Sequence, residues 1–325
     1  MGLSFEDCLN AVPPDMRDAL ESFGREADEI VDAFLTTLEA SPLPPVLYHY
    51  TIEAGLKGIL ETGKLWLSDI LTLNDPSELS HGLSQAIAIL KGKAASGPPG
   101  SRLFAADFEE MIRLGKVQKS GDYFICCFSS AGDDLGQWRA YADNGRGYAL
   151  GFEVAALERA FLEQLGVPIQ KTFPVTYNDA RLIGIDQAII DRMFGLISLP
   201  RGRKMTDDAI KGFMAQLYTL VTVHGLHAGL HFKHEAYANE EEYRFMQVYP
   251  PASKPLVTKL RTRSGLPVRY LEFDWSAAGG SVLSDIIIGP AANVEEATVF
   301  AKESLFLSRQ KSAKIIRSAI PYRAF

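Results

Sequence analysis

Apolar positions along the chain recur with two periods, and each period marks out its own elements. Between Met16 and Leu38 they return every three or four residues, at Met16, Leu20, Phe23, Ala27, Ile30, Phe34 and Leu38. That spacing predicts an amphipathic helix, and Pro13-Pro14 suit its start. Ser41-Pro42-Leu43-Pro44-Pro45 reads as a stiff linker, so residues 1–45 form a helical extension that packs on the body. Leu47-Tyr48-His49-Tyr50-Thr51 predicts a short strand. Leu56, Ile59 and Leu60 share a face of the next helix, and Gly63 sits where a left-handed C-terminal residue is wanted. Leu65-Trp66-Leu67 forms a second strand running into Ser68-Asp69. A polar loop ending at Asn74-Asp75-Pro76 follows, with its pre-proline residues pushed out of the helical region.

Helices are expected over Glu78–Lys91 and Arg102–Lys116. Tyr123 to Phe128 is a near-continuous apolar run, the pattern of a buried strand, and it delivers Ser129-Ser130 to its end. Asn144-Gly145 signals a tight turn before a strand at Tyr148–Phe152. Another strand is expected at Phe173–Tyr177, then helices at Ile185–Leu199 and Thr206–Gly225. The last third reads as strands at Glu241–Tyr249, Val268–Phe273, Ile286–Ile288 and Ile315–Ile320, with a helix at Glu295–Arg309 between the last two. Both element types interleave without a regular β-α-β rhythm, so the predicted class is α+β. Residues 46–325 are expected to form one domain, with a split, mostly antiparallel sheet flanked by helices.

Composition changes this picture little. Of 325 residues, 47% are hydrophobic and 22% charged, enough for a full core. A net charge of −7 argues against bulk basicity as a nucleic-acid surface. Three cysteines make no disulfide framework, and Cys126-Cys127 point to opposite faces of a strand as small core residues. There is no secretory pattern and no run long enough to span a bilayer. The expectation is a cytoplasmic protein with no membrane partner.

Chemistry concentrates in a few stretches. In Glu240-Glu241-Glu242-Tyr243-Arg244-Phe245, period two puts Glu240, Glu242 and Arg244 on one face and Glu241 on the other. A guanidinium beside carboxylates can hold one ionised and oriented; an edge strand with a solvated charged face is the alternative. His224, His227, His231 and His234 have helical spacing, but the HExxH motif is absent and Gly225 and Gly229 weaken the helix. A polar helix face is favoured over a zinc site there. No GxGxxG fingerprint follows a strand, which argues against a Rossmann dinucleotide site. Trp138 and Tyr141 are either stacking groups or core. Asn74-Asp75-Pro76 with Glu78 also suits a helix N-cap. Ser68, Ser129 and Ser130 have no histidine at a nucleophile spacing.

The motifs LYHYT, GLKGIL, KLWLSD, LNDPSE, FICCFS, QWRAYADNGRGYALGF, YANEEEYRF and DIIIGP together resemble, in order, the bacterial domain-of-unknown-function family 2971. The resemblance spans about Tyr48 to Tyr322. LYHYT, followed by a helix and a short strand ending in Ser, is also similar to the opening of ADP-ribosyltransferase-like domains. That resemblance implies that His49 contacts NAD, that Ser68 lies beside its nicotinamide end, and that a Glu of the 240–242 run is catalytic. Glu240-x-Glu242 resembles the Glu-x-Glu of arginine-modifying members. His49 matches the diphtheria-toxin-like branch, whereas Trp66 and Ser68 stand where that branch has paired tyrosines.

On this reading Glu242 is the catalytic carboxylate, with Glu240 second and Arg244 holding it. His49 faces it and touches a ribose. Tyr50, Ser68, Asn74, Ser129 and Trp138 surround the rest of the cofactor. NAD is the substrate, no metal is needed, and the acceptor is a protein or nucleic acid. The setting implied is a bacterial toxin or defence effector. Alternatives are an NAD glycohydrolase, a catalytically inactive binding module on the same fold, and a nucleic-acid-modifying enzyme suggested by Arg201, Arg203, Lys204, Arg261 and Arg263.

Overall fold

A computed structural model describes residues 10–39, 42–73, 81–114, 121–250, 256–263, 265–279, 282–308 and 313–324. In chain order its first elements are α1 (Pro14–Glu39), β1 (Val46–Thr51), α2 (Glu53–Thr62), β2 (Lys64–Asp69), α3 (His81–Ala94), α4 (Ser101–Arg113) and β3 (Asp122–Ser129). Then come α5 (Leu135–Tyr141), β4 (Tyr148–Glu153), α6 (Val154–Leu162), β5 (Ile169–Pro174), α7 (Asp179–Ile197) and α8 (Asp207–Gly229). The last are β6 (Glu242–Tyr249), β7 (Lys259–Arg263), β8 (Leu266–Asp274), β9 (Leu283–Ile288), α9 (Val294–Leu307) and β10 (Lys314–Arg317). The class is α+β, as the interleaved periods predict. No described helix is long and apolar enough to cross a membrane.

The domain organisation differs from the expected single body with an appended helix. The chain forms two compact units, whose described parts fall within 1–40, 75–120 and 176–235 for the first and within 41–74, 121–175 and 236–325 for the second. The first unit is helical. Met16, Leu20, Phe23, Ala27 and Phe34 of α1 are buried, as the periodicity predicts, and α1 packs on α7 and α8. Phe34 stacks on Phe232 with ring centroids 5.1 Å apart. So α1 is a structural member of this unit. The expected end of α8 at Gly225 also moves, because the helix runs on to Gly229. Its glycines cost helix propensity but allow a close crossing. A Cβ built on Gly229 would lie 2.9 Å from the Gly82 Cα.

The second unit carries the sheet. Its strands run β10-β9-β4-β1-β3-β2-β8-β7, with β6 beside β3 and β5 beyond β6. Every described pairing is antiparallel except β10 with β9. β3 is the hub. One edge pairs with β6 from Asp122↔Tyr249 to Ser129↔Glu242. Its other edge is shared by two strands. β1 meets it at Tyr48↔Ser129, and β2 at Ser68↔Ile125 and Asp69↔Phe124. The sheet is therefore split beside Cys127, where β1 and β2 part.

One face of the sheet packs Phe124, Cys126, Phe128, Phe152, Phe245 and Phe273 into the main core with α2, α6 and α9. Alternation leaves Tyr123, Ile125, Cys127 and Ser129 of β3 on the opposite face. The turn from α2 into β2 uses Gly63 in the left-handed region, φ 66°, as its position predicts. Strand β7 and helices α5 and α6 have no counterpart among the predicted elements.

Candidate functional site

The split sheet sets the site's grid, because residues paired across neighbouring strands share a face. Tyr48, Ser129 and Glu242 form one row across β1, β3 and β6. Cys127 and Arg244 form the next. Tyr270, Ser68, Ile125 and Met246 form the row after that. Three of the predicted residues, Ser129, Glu242 and Arg244, thus lie on adjacent positions of one face, and Ser68 lies on the same face one row beyond Arg244.

Glu242 and Arg244 are 4% and 0% exposed. Arg244 Nε donates to Glu242 Oε1 at 2.7 Å, and a terminal nitrogen reaches Oε2 at 3.3 Å. The guanidinium grips both oxygens from two residues along the same strand. The edge-strand alternative fails here, since β6 lies between β3 and β5. Removing either partner would leave a buried charge, at a cost of about 3–5 kcal/mol.

Glu240 is not part of the strand, a correction to the period-two reading. The strand begins at Glu242, and Glu240 lies in the short helical turn before it. Glu241 breaks the alternation with a left-handed backbone, φ 42°. Tyr141 Oη donates to Glu240 at 2.9 Å. Glu241 accepts from the Ser130 hydroxyl, while its carbonyl takes the Ser130 N–H at 3.0 Å. Such a conformation costs a non-glycine residue of order 1 kcal/mol or more. The strain sits one residue before the buried pair and is held from the end of β3.

His49 alternates with Tyr48 and Tyr50, so it leaves β1 on the side opposite Glu242. Its ring packs on Phe128 at 5.6 Å. The expectation that it faces Glu242 across one surface therefore does not follow from the register. Its Nδ1 instead lies 3.1 Å from the Cys127 carbonyl oxygen at the split. Burial pushes the imidazole's pKa below its ordinary value; the Cys127 contact opposes this and the Arg261 charge adds to it.

Two expected cofactor neighbours are committed elsewhere. Trp138 is 0% exposed, sits edge-on to Tyr50 at 4.8 Å, and donates its indole N–H to Asp133 at 2.7 Å. Tyr50 Oη donates to the Ala131 carbonyl at 2.7 Å and accepts the Asp134 N–H at 3.1 Å. Both are core groups that fasten the start of α5, which corrects their assignment as ligand walls. Asn74 lies outside the described residues.

Ser68 is buried and accepts from Arg261 at 2.8 Å. In the sequence Arg261, on β7, stands out only as part of a basic pair with Arg263. Alternation within KLRTR could have placed it on one side of β7, but not beside β2. The other basic stretch is partly absorbed, since Arg203 pairs with Asp15. His224 bonds Asp28 at 3.0 Å and the Leu220 carbonyl at 2.7 Å. Among the described residues no three His, Cys, Asp or Glu side chains converge as a metal site would need.

No curated protein and no solved structure matches this chain. Residues 137–245 match the model of a family described as a protein of unknown function, DUF2971, and this supports a place near that family for the stretch running from α5 to the Glu242–Arg244 strand.

Proposed function

We propose that the second unit is an NAD-consuming, ADP-ribosyltransferase-like enzyme with Glu242 as its catalytic carboxylate. The observation that supports this most is the buried Glu242–Arg244 pair beside the split in the sheet. Cleaving the nicotinamide–ribose bond sends the bonding electron pair to nicotinamide and leaves an oxocarbenium-like ribose. A fixed carboxylate stabilises that cation more than the ground state. A protein or nucleic-acid nucleophile then bonds to the ribose carbon and releases a proton; water in that role makes the reaction a glycohydrolysis. Ser68 and Ser129 share the Glu242 face beside the divide between β1 and β2, and they supply hydrogen bonds for the ligand.

The same pair favours one other reading. Glu242 is nearly closed to solvent and already occupied by Arg244, as it would be in a binding module without catalysis. Incubation with labelled NAD separates the two. Nicotinamide release above the blank, lost in Glu242→Gln, supports the enzyme. Release that is absent with NAD at millimolar concentration leaves the binding module.

A further inference from the structure

Arg261 is a half-buried cation beside the sheet unit's split with no ion-pair partner among the described residues. Its Nη2 donates to Ser68 Oγ at 2.8 Å, and its guanidinium carbon lies 5.2 Å from the centre of the Trp66 ring. Its Nε is buried and meets no partner among the described residues. Its pKa is lowered by burial and by Arg263, and no carboxylate is among the groups acting on it. Arg263 is exposed to solvent, and two other charge centres nearby are matched. Arg269 holds Asp69 and Asp122, and Lys64 and Lys259 share Glu272. Desolvating a guanidinium without a counter-charge is costly, and the cost is recovered when an anion docks on its free edge.

We infer that Arg261, backed by Trp66 and Ser68, is the seat for a phosphate group of a nucleotide ligand. Two features select phosphate. The guanidinium presents a planar fork with no carboxylate paired to it among the described residues. The Ser68 hydroxyl, which accepts from Arg261, keeps its own proton to donate. Trp66 is 44% exposed and packs on Tyr270 at 4.5 Å, so an aromatic face borders the seat. This inference rests on the reading above for placing a nucleotide in the split. It differs in asking only for binding.

The test is titration of the full chain with ADP, inorganic pyrophosphate and adenosine by calorimetry, with nicotinamide release from NAD measured on the same samples. ADP should bind at least about tenfold tighter than adenosine, and Arg261→Gln should remove most of that difference while leaving adenosine binding unchanged. Arg261→Lys should restore part of it. Because Arg261 is unmatched, Arg261→Gln should melt no lower than the parent, which a purely structural role would not allow. Equal binding of ADP and adenosine, undiminished ADP binding in Arg261→Gln, or no binding of ADP or pyrophosphate overturns the seat. Arg261-dependent ADP binding without nicotinamide release keeps the seat and removes the catalytic reading. Release that ignores Arg261→Gln does the reverse.

Discussion

The two units treat buried charge in opposite ways. In the helical unit, Asp186 of α7 is 2% exposed, among Leu182, Ile185, Ile189 and Ile190 on the buried side of its helix. One of its carboxyl oxygens has no partner among the described residues, and burial pushes its pKa up to about 8. In the sheet unit, Glu242 is buried almost as deeply but is gripped by Arg244 through both oxygens. One unit tolerates a carboxyl by letting it take up a proton. The other keeps a matched pair of charges on an interior strand. A matched pair brings no clear stability advantage over apolar packing, so its presence beside the split argues for a role beyond holding the sheet together.

That contrast breaks most severely at Arg244. Arg244→Met fills the space but strands the Glu242 charge, and should lower unfolding free energy by about 3–5 kcal/mol, read from denaturant midpoints. Glu242→Gln keeps the shape and a hydrogen bond to Arg244. If the carboxylate stabilises a cationic transition state, NAD cleavage should fall about a hundredfold or more, with little change in NAD affinity. Glu241→Gln should do much less, because Glu241 bonds Ser130 outside the pair. Equal losses at the two positions would remove Glu242 from its role.

Asp186→Asn sharpens the other side. The folded carboxyl titrates near 8 and the unfolded one near 3.8, so between these values the folded state holds the extra proton. Stability of the parent therefore falls as pH rises through that window and levels off above it. Asp186→Asn should flatten this fall, gaining on the order of 5 kcal/mol over the parent at pH 9 and little at pH 4, by thermal melts. A parallel pair of curves would mean that Asp186 stays charged in the fold.

The smallest effect is at His49. Its folded pKa lies below 6.5, so the fold favours the neutral ring. That contribution is complete above 6.5 and is lost as pH falls from there through the folded value. Arg261→Gln removes one of the lowering influences and should move the NMR titration of His49 upward. Burial, the larger cause, remains, so the shift should stop short of 6.5.

Much of the local structure was legible in the chain. The LYHYT strand, the helix after it, Gly63 and the apolar run of β3 all follow from period and turn chemistry, which are local. The interleaving of the two units was not, because whether residues 75–120 and 176–235 leave the sheet unit depends on partners far away in sequence. The site was legible at Glu242, Arg244, Ser129 and Ser68, whose faces obey simple alternation. It was not at Glu240, since nothing in EEE marks the left-handed residue that ends the alternation at Glu241. Trp138 shows the limit of composition. A tryptophan beside a tight turn looks the same whether it meets a ligand or, as here, the carboxylate of Asp133.

The contact between His49 and β3 decides where a proton sits. A peptide carbonyl can only accept, so the imidazole must carry its hydrogen on Nδ1 to engage Cys127. In the neutral ring that the site favours, Nε2 is then a bare lone pair. Whatever approaches Nε2 has to bring a hydrogen of its own. A hydroxyl is welcome there, and a carbonyl or phosphoryl oxygen is turned away.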